Sequence, residues 1–283
     1  MSRPELSVLT VSAGRAELLL RKLSALERLR LEPRRLEFVL VDNACPERVG
    51  DAVEQRAWPF TVRVLRTQTR ESAARARCRA AAAASAPLVW LSDDDCLPAP
   101  EAAARHLARQ TGSPGVVIGA VRFVADGGTH TYRPRRVGAA QLSGANTTLP
   151  RDAMLRACRS RLELPRSYGG EDIALGLQLR DEGLRFIAAP DARVDHLGPN
   201  PTSGADPEKG FDAGYNAVVI ARRWPDAAWA LGVHPFQMAL KRLVLACGVR
   251  VWEPQGGGRA GYERAYLEGG AAARRALAGG ASP

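Results

Sequence analysis

Apolar positions along this chain follow two rhythms that alternate through its first half. Residues 6–11 form a short β-rich run, followed after Gly14 by residues 16–30, where leucines at 18, 19, 20, 23, 26 and 29 recur at helical spacing. Residues 37–41 are apolar almost throughout and end on Asp42-Asn43, as suits a strand buried on both faces of a parallel sheet. Residues 62–65 read as a third strand, 71–85 as an Ala/Arg-rich helix, 88–91 as a fourth strand and 100–110 as a helix. Short connections between these segments predict an α/β fold, a mostly parallel sheet covered by helices.

The rhythm changes after residue 114. Residues 116–124 are β-like, 132–136 read as a basic loop, 141–148 as an extended segment and 152–159 as a short helix. A helix over 171–182 is expected to stop at Gly183, with a strand over 184–188 and Val194-Asp195-His196 following on its far side. Residues 199–210 hold three prolines and two glycines and read as a loop, with a role as a closing lid. Helices over 211–224, 235–249 and 260–277 complete the chain. The division expected is a catalytic domain over 1–210 and a C-terminal helical extension over 211–283 packing on it.

Composition narrows the picture. The 283 residues are 46% hydrophobic and 25% charged, which supports a folded chain with a sizeable core. The five cysteines are odd in number and widely spread, so no zinc knuckle and no disulfide framework is expected, and a reducing, cytoplasmic location follows. Neither a signal-peptide pattern nor an apolar run long enough to span a membrane is visible. The net charge is +10, with 40 basic residues of which only Lys22, Lys209 and Lys241 are lysines. Arginine grips phosphate bidentately, so a phosphorylated ligand, a nucleic acid or an anionic membrane surface all suit this charge. Aromatic residues make up only 6%, and no recognition helix or aromatic RNA-binding motif is present, which argues against a nucleic-acid partner. Residues 241–252 are basic and apolar together. They read first as a helix packing on the catalytic domain or on a second subunit, and second as a peripheral segment docking on anionic lipid.

Candidate chemistry sits at strand ends, where open α/β sheets bind ligands. The fourth strand ends on Asp93-Asp94-Asp95, three carboxylates that repel one another unless a cation compensates. In an extended segment Asp93 and Asp95 face the same side and together can hold a divalent metal and its bound diphosphate. Tyr168-Gly169-Gly170-Glu171-Asp172 joins a tight turn to two acids at a helix start, where the helix dipole favours their ionised form. His196, beside Asp195, can complete a transition-metal site such as one for manganese.

In this order the residues resemble a family. Val41-Asp42-Asn43, Ala76-Arg77 and Asp93-Asp94-Asp95 are similar to the nucleotide-sugar half of family-two glycosyltransferases of the GT-A fold. Ser143-Gly144-Ala145-Asn146 before Arg151-Asp152 resembles a later strand and helix of that family. Gly169-Gly170-Glu171-Asp172 with His196 is similar to the pattern of inverting galactosyl- and N-acetylgalactosaminyltransferases. The chain departs from the family at Ser12-Ala13-Gly14, at Cys78 and at Gln178.

The resemblance implies an inverting, metal-dependent transfer of a sugar from a nucleotide diphosphate donor, expected to be UDP-linked, to an acceptor hydroxyl that stays unidentified. Thr10, Asp42, Arg77, Asp93, Asp94, Asn146 and Gly170 would contact the nucleotide sugar. Asp93, Asp95 and His196 would ligate Mn²⁺ or Mg²⁺, Asp172 would be the general base and Glu171 would orient the acceptor. A catalytically degenerate sugar- or nucleotide-binding subunit is the alternative. A nucleotidyltransferase is another, although residues 11–15 are too poor in glycine for its phosphate loop.

Overall fold

The structure, a computed structural model, describes residues 3–124, 130–135, 137–198, 206–247 and 259–279. The chain divides into two compact units, one formed by residues 1–161 and 178–199, the other by 162–177 and 200–283.

The first unit is built on one sheet of nine strands. Four parallel strands come first: β1 (Leu6–Ser12), β2 (Leu36–Asn43), β3 (Thr61–Thr67) and β4 (Leu88–Leu91), in the spatial order β3-β2-β1-β4. Between them run α1 (Ala16–Glu27), α2 (Val49–Glu54) and α3 (Ala73–Ala83). Every residue of β2 is buried, as its unbroken apolar run predicts, whereas the edge strand β3 alternates toward solvent. After β4 come β5 (Cys96–Pro98), α4 (Ala102–Gln110), β6 (Val116–Phe123), β7 (His130–Tyr132), β8 (Thr147–Pro150) and α5 (Arg151–Arg159). The sheet continues past β4 through antiparallel β8 to β6, then to β9 (Phe186–His196), which lies parallel to β6, and ends on β5; β7 pairs with β6.

The expected strand over 184–188 proves longer and carries His196 at its end. β9 stays paired with β6 throughout, but the register jumps from Ala189 opposite Gly119 to Arg193 opposite Ala120, so Pro190-Asp191-Ala192 bulges out. Pro190 stands at the start of this bulge. Gly183, at φ 78°, ends α6 (Glu171–Asp181) as expected: its N–H reaches the Arg180 carbonyl, and that of Leu184 reaches Leu179.

A buried polar chain joins the mixed half of the sheet. Gln110 donates to Thr148 Oγ1 at 3.1 Å, and Thr148 meets His106 Nδ1 at 3.1 Å. His106 Nε2 meets Asn146 Oδ1 at 2.8 Å, and Trp90 Nε1 donates to the same oxygen at 2.9 Å. Asn146 Nδ2 in turn donates to the carbonyls of Ala120 and Ala192. Because every member is buried and partnered, the network fixes how β4, β6, β8, β9 and α4 pack. Burial of His106 lowers its pKa to about 4, so the ring stays neutral.

The cysteine expectation is overturned. Cys78 on α3 and Cys158 on α5, 80 residues apart, form a disulfide with a Cα–Cα distance of 5.6 Å, while Cys45, Cys96 and Cys247 are free thiols. Sequence spacing cannot reveal this pair, because α3 and α5 become neighbours only when β4 and β8 align.

The second unit comprises the start of α6 and three further helices: α7 (Pro207–Arg223), α8 (Pro235–Ala246) and α9 (Arg259–Ala278). Glycines let α7 and α9 touch backbone to backbone. A Cβ on Gly214 would fall 2.0 Å from the Tyr266 carbonyl oxygen, and one on Gly269 would fall 2.0 Å from that of Phe211. Of the expected 199–210 loop, residues 199–205 lie outside the described residues, and 207–210 form the first turn of α7 with Pro207 at its start and Asp206 capping it. Among the described residues, no helix is long and apolar enough to cross a membrane.

Candidate functional site

The site of the first unit forms where β1 and β4 end side by side. The acidic triplet is not extended, as its sequence suggests, but folded into a tight turn closed by Cys96 N–H on the Asp93 carbonyl at 3.1 Å. The turn sends its carboxylates different ways. Asp93, partly exposed, takes a hydrogen bond from Arg77 at 3.0 Å. Asp94 is buried and accepts from Ser12 Oγ at 2.6 Å and from Arg15, and burial raises its pKa. Asp95 accepts from the other arm of the Arg15 guanidinium at 2.7 Å.

Beneath the turn lies a residue that sequence reading passes over. Lys22 of α1 is fully buried and donates to Ser92 Oγ at 2.6 Å, to the Asp93 carbonyl at 2.7 Å and to the Ser92 carbonyl at 3.1 Å. Burial lowers its pKa, and the three aspartates oppose that shift. Lys22 and Arg15 thus neutralise the triplet from below and from one side. A signal for Lys22 exists in the sequence: it falls on the apolar face of α1 between Leu19 and Leu26, in a chain that otherwise prefers arginine.

After the turn the chain enters β5, whose register on β9 puts Cys96 opposite His196. Asp95 Oδ1 and His196 Nε2 consequently stand 3.6 Å apart, and the Leu197 N–H anchors the Asp95 carbonyl. His196 Nδ1 lies 3.0 Å from the Gly198 carbonyl, which can only accept, so the tautomer that donates there turns its Nε2 lone pair to the carboxylate. At 3.6 Å the two are too far apart for a good hydrogen bond, and two lone-pair donors facing each other suit a cation. Gly198 keeps the space open, since a Cβ there would fall 2.5 Å from Asp95 Oδ2 and 3.0 Å from His196 Cε1. Asp95, Cys96 and His196 are the three side chains close enough to share an ion among the described residues. The buried Cys96 thiol, its pKa pushed well up by burial, is a poor match to the hard cations that carboxylates prefer. Of the expected ligands, Asp95 and His196 come together, and Asp93 turns toward Arg77.

Of the remaining expected contacts in this unit, Thr10 and Arg77 reach the turn or the residue before it, whereas Asp42 and Asn146 bond elsewhere. Thr10 Oγ1 donates to the Ser92 carbonyl at 2.8 Å. Asp42 accepts from the backbone N–H of Gly50, at 3.0 Å, and of Cys45. Arg77 lies flat against Gly144, where a Cβ would come within 2.1 Å of its Nη2, so the glycine makes room for the arginine. Asn146 spends its whole amide on the buried network, leaving no capacity for a ligand.

The Gly-Gly-Glu-Asp segment belongs to the second unit. Gly169 and Gly170 take φ of 83° and 94°, which require glycine, and a Cβ on Gly170 would fall 2.7 Å from Ile220 Cδ1. Glu171 and Asp172 form the first turn of α6. A second residue that sequence reading misses holds this turn. The buried Asn216 of α7 donates to the carbonyls of Arg166, Tyr168 and Gly169 at 2.9–3.1 Å and accepts from Arg166 N–H at 3.2 Å.

No curated protein matches the chain in sequence. Among solved structures it is similar to the mannosyltransferase PcManGT from Pyrobaculum calidifontis, in complex with GDP-Man and Mn²⁺. That likeness has a TM-score of 0.64 and 19% identity, covering 96% of this chain and 87% of that one. TarS 1–349 of S. aureus, in complex with UDP-GlcNAc, matches with a TM-score of 0.61 and 12% identity over 98% and 92% of the two chains. GalNAc-T7, with UDP, GalNAc and Mn²⁺, matches with a TM-score of 0.60 and 15% identity over 78% of this chain and 48% of that one. These likenesses establish a GT-A fold. The profile of glycosyl transferase family 2 ends before Gly169 and His196 but spans residues 7–162, more than half of the chain, from β1 through the acidic turn to α5, and the chain belongs to that family.

Proposed function

We propose that this protein transfers a sugar from a uridine diphosphate donor to an acceptor hydroxyl with inversion at the anomeric carbon. Family membership supplies the reaction class, and the three similar structures hold GDP-Man, UDP-GlcNAc, or UDP with GalNAc. The observation that carries the reading is the pair Asp95 and His196, whose lone pairs face each other at the carboxyl end of the sheet beside an acidic turn held from below. Asp95 and His196 would hold Mn²⁺ or Mg²⁺, and Asp93 would join them only by leaving Arg77. When bound, that cation supplies neutralisation of the charge growing on the departing diphosphate. Thr10, Asp42, Arg77 and Gly170 would contact the nucleotide sugar, and Asp94 holds the turn through Ser12 and Arg15. Asn146 serves the site indirectly, as a brace. Asp172 takes the acceptor proton as that oxygen attacks the anomeric carbon, whose bond to the diphosphate breaks with its electron pair leaving on phosphate oxygen. Glu171 orients the acceptor. Both acids sit in the first turn of α6.

A thermal-shift series of UDP-sugars with and without Mn²⁺ tests the donor. The right one stabilises the fold by about 2.7 kcal/mol at roughly 100 times its Kd. Stabilisation by GDP-sugars alone would overturn the UDP assignment. Product NMR should show an anomer opposite to that of the donor, and a retained anomer would overturn inversion. Asp172→Asn should lower turnover by about 10²–10⁴ while UDP binding persists. Metal-dependent binding with no transfer to any acceptor and no donor hydrolysis would instead favour the binding-subunit reading.

A further inference from the structure

We infer that α8 is a docking face for an anionic phospholipid surface, an interaction that goes beyond the transfer reaction and does not depend on its donor. The helix has two distinct sides. One seats on α9: Met238 is buried with its Sδ 3.3 Å from Arg274, and Lys241 pairs with Glu263 at 2.8 Å and lies over the Tyr266 ring. The other side is apolar and open. Phe236, Leu240 and Leu243 are 63%, 49% and 61% exposed, and they follow one another at the four- and three-residue steps that align side chains on a helix. Ala239 and Ala246 continue the same exposed stripe. Trp229, in the turn leading to α8, is 57% exposed. An exposed stripe of large apolar side chains on a soluble surface marks a site that another apolar phase covers.

Charge decides which phase that is. α8 contains no acidic residue, and its exposed Arg242 stands beside the stripe. Arg242 and Arg264 line an open cleft of about 290 Å³ together with Leu245, Leu267 and a single acid, Glu268. Exposed Arg222 and Arg223 precede the helix in sequence, in a chain of net charge +10. The acids beside this face are Glu263, already paired with Lys241, and Glu268 in the cleft, so the face is basic on balance. A bilayer of anionic headgroups answers both features. The stripe enters the acyl boundary, the arginines meet phosphate, and the tryptophan lies at headgroup level.

Flotation of the full chain with vesicles, without any nucleotide, tests this separately from catalysis. Recovery is expected with phosphatidylglycerol vesicles at low salt, and little with phosphatidylcholine vesicles or at high salt. Leu240→Asp and Leu243→Asp should each cut recovery at least about tenfold, since each places a charge in the apolar stripe. Their melting temperatures should stay unchanged because both side chains are exposed. Absence of flotation with anionic vesicles would overturn the inference, as would equal flotation by the variants. So would a concentration-dependent dimer that Leu243→Asp dissolves, because a second copy would then own this face.

Discussion

Replacing Lys22 with methionine isolates what holds the acidic turn. Methionine keeps the apolar stem of the lysine and fits the sealed space, so the change removes three donated hydrogen bonds and one charge with little change in packing. The Ser92 and Asp93 carbonyls keep Thr10 Oγ1 and the Cys96 N–H as donors, so the acceptor left without its partner is the Ser92 hydroxyl, and an orphaned buried acceptor costs about 1–3 kcal/mol. Against this, removing a buried cation recovers part of its desolvation penalty. Breaking a buried ionic cluster by taking away one partner nonetheless costs about 3–5 kcal/mol. Here the loss also leaves Asp94 and Asp95 with Arg15, itself half exposed, as their neighbouring cation in this site. We therefore expect Lys22→Met to destabilise the fold by about 3 kcal/mol, a fall in Tm of about 6–10 °C for a chain of this size. Urea and thermal unfolding measure this directly, and the stabilisation given by Mn²⁺ with donor should shrink in the same variant. A melting temperature within a degree or two of the parent, with donor response intact, would show that the turn holds itself and that the ammonium is incidental.

Other tests address the disulfide, the buried network and the cation pair. Oxidised protein should titrate three thiols under denaturing conditions, and breaking Cys78–Cys158 should cost up to about 4 kcal/mol from its 80-residue loop; five thiols would refute the pair. His106 has a folded pKa of about 4, below its ordinary value, so its contribution is complete above about pH 6.5 and is lost as pH falls toward 4. Unfolding free energy should drop by about 3 kcal/mol across that window from this group, and His106→Gln should flatten that part of the slope. Gly198→Ala would press a methyl group on Asp95 and His196, so Mn²⁺ affinity by calorimetry should fall about tenfold or more with under about 1 kcal/mol change in stability. Unchanged affinity would place the cation elsewhere.

Much of the parallel half of the sheet was legible from residue order alone. A strand buried on both faces must be apolar throughout, so β2 announces itself, and the leucine spacing of α1 leaves one face to bury. Gly183 closes α6 for the same local reason, because only glycine accepts its backbone angles cheaply. The short β5 and α2 carry too few residues for a period to register, and the bulge in β9 lies beyond the expected strand over 184–188. Local chemistry also singled out Asp95, His196 and the two glycines before Glu171.

What tertiary structure alone decided is which side chains meet. A carboxylate triplet reads as one group in sequence, yet a turn of backbone hands Asp93 to Arg77 and Asp94 and Asp95 to Arg15. The register of β5 on β9 sets His196 beside Asp95 from about a hundred residues away, and packing of α3 on α5 pairs Cys78 with Cys158. Lys22 and Asn216 show the same limit from the other side. Their polar ends lie on buried faces, and nothing within a helix says which distant backbone will need a donor there. Periodicity is a property of neighbours along the chain, whereas a binding site is a property of neighbours in space, and only the folded sheet converts one into the other.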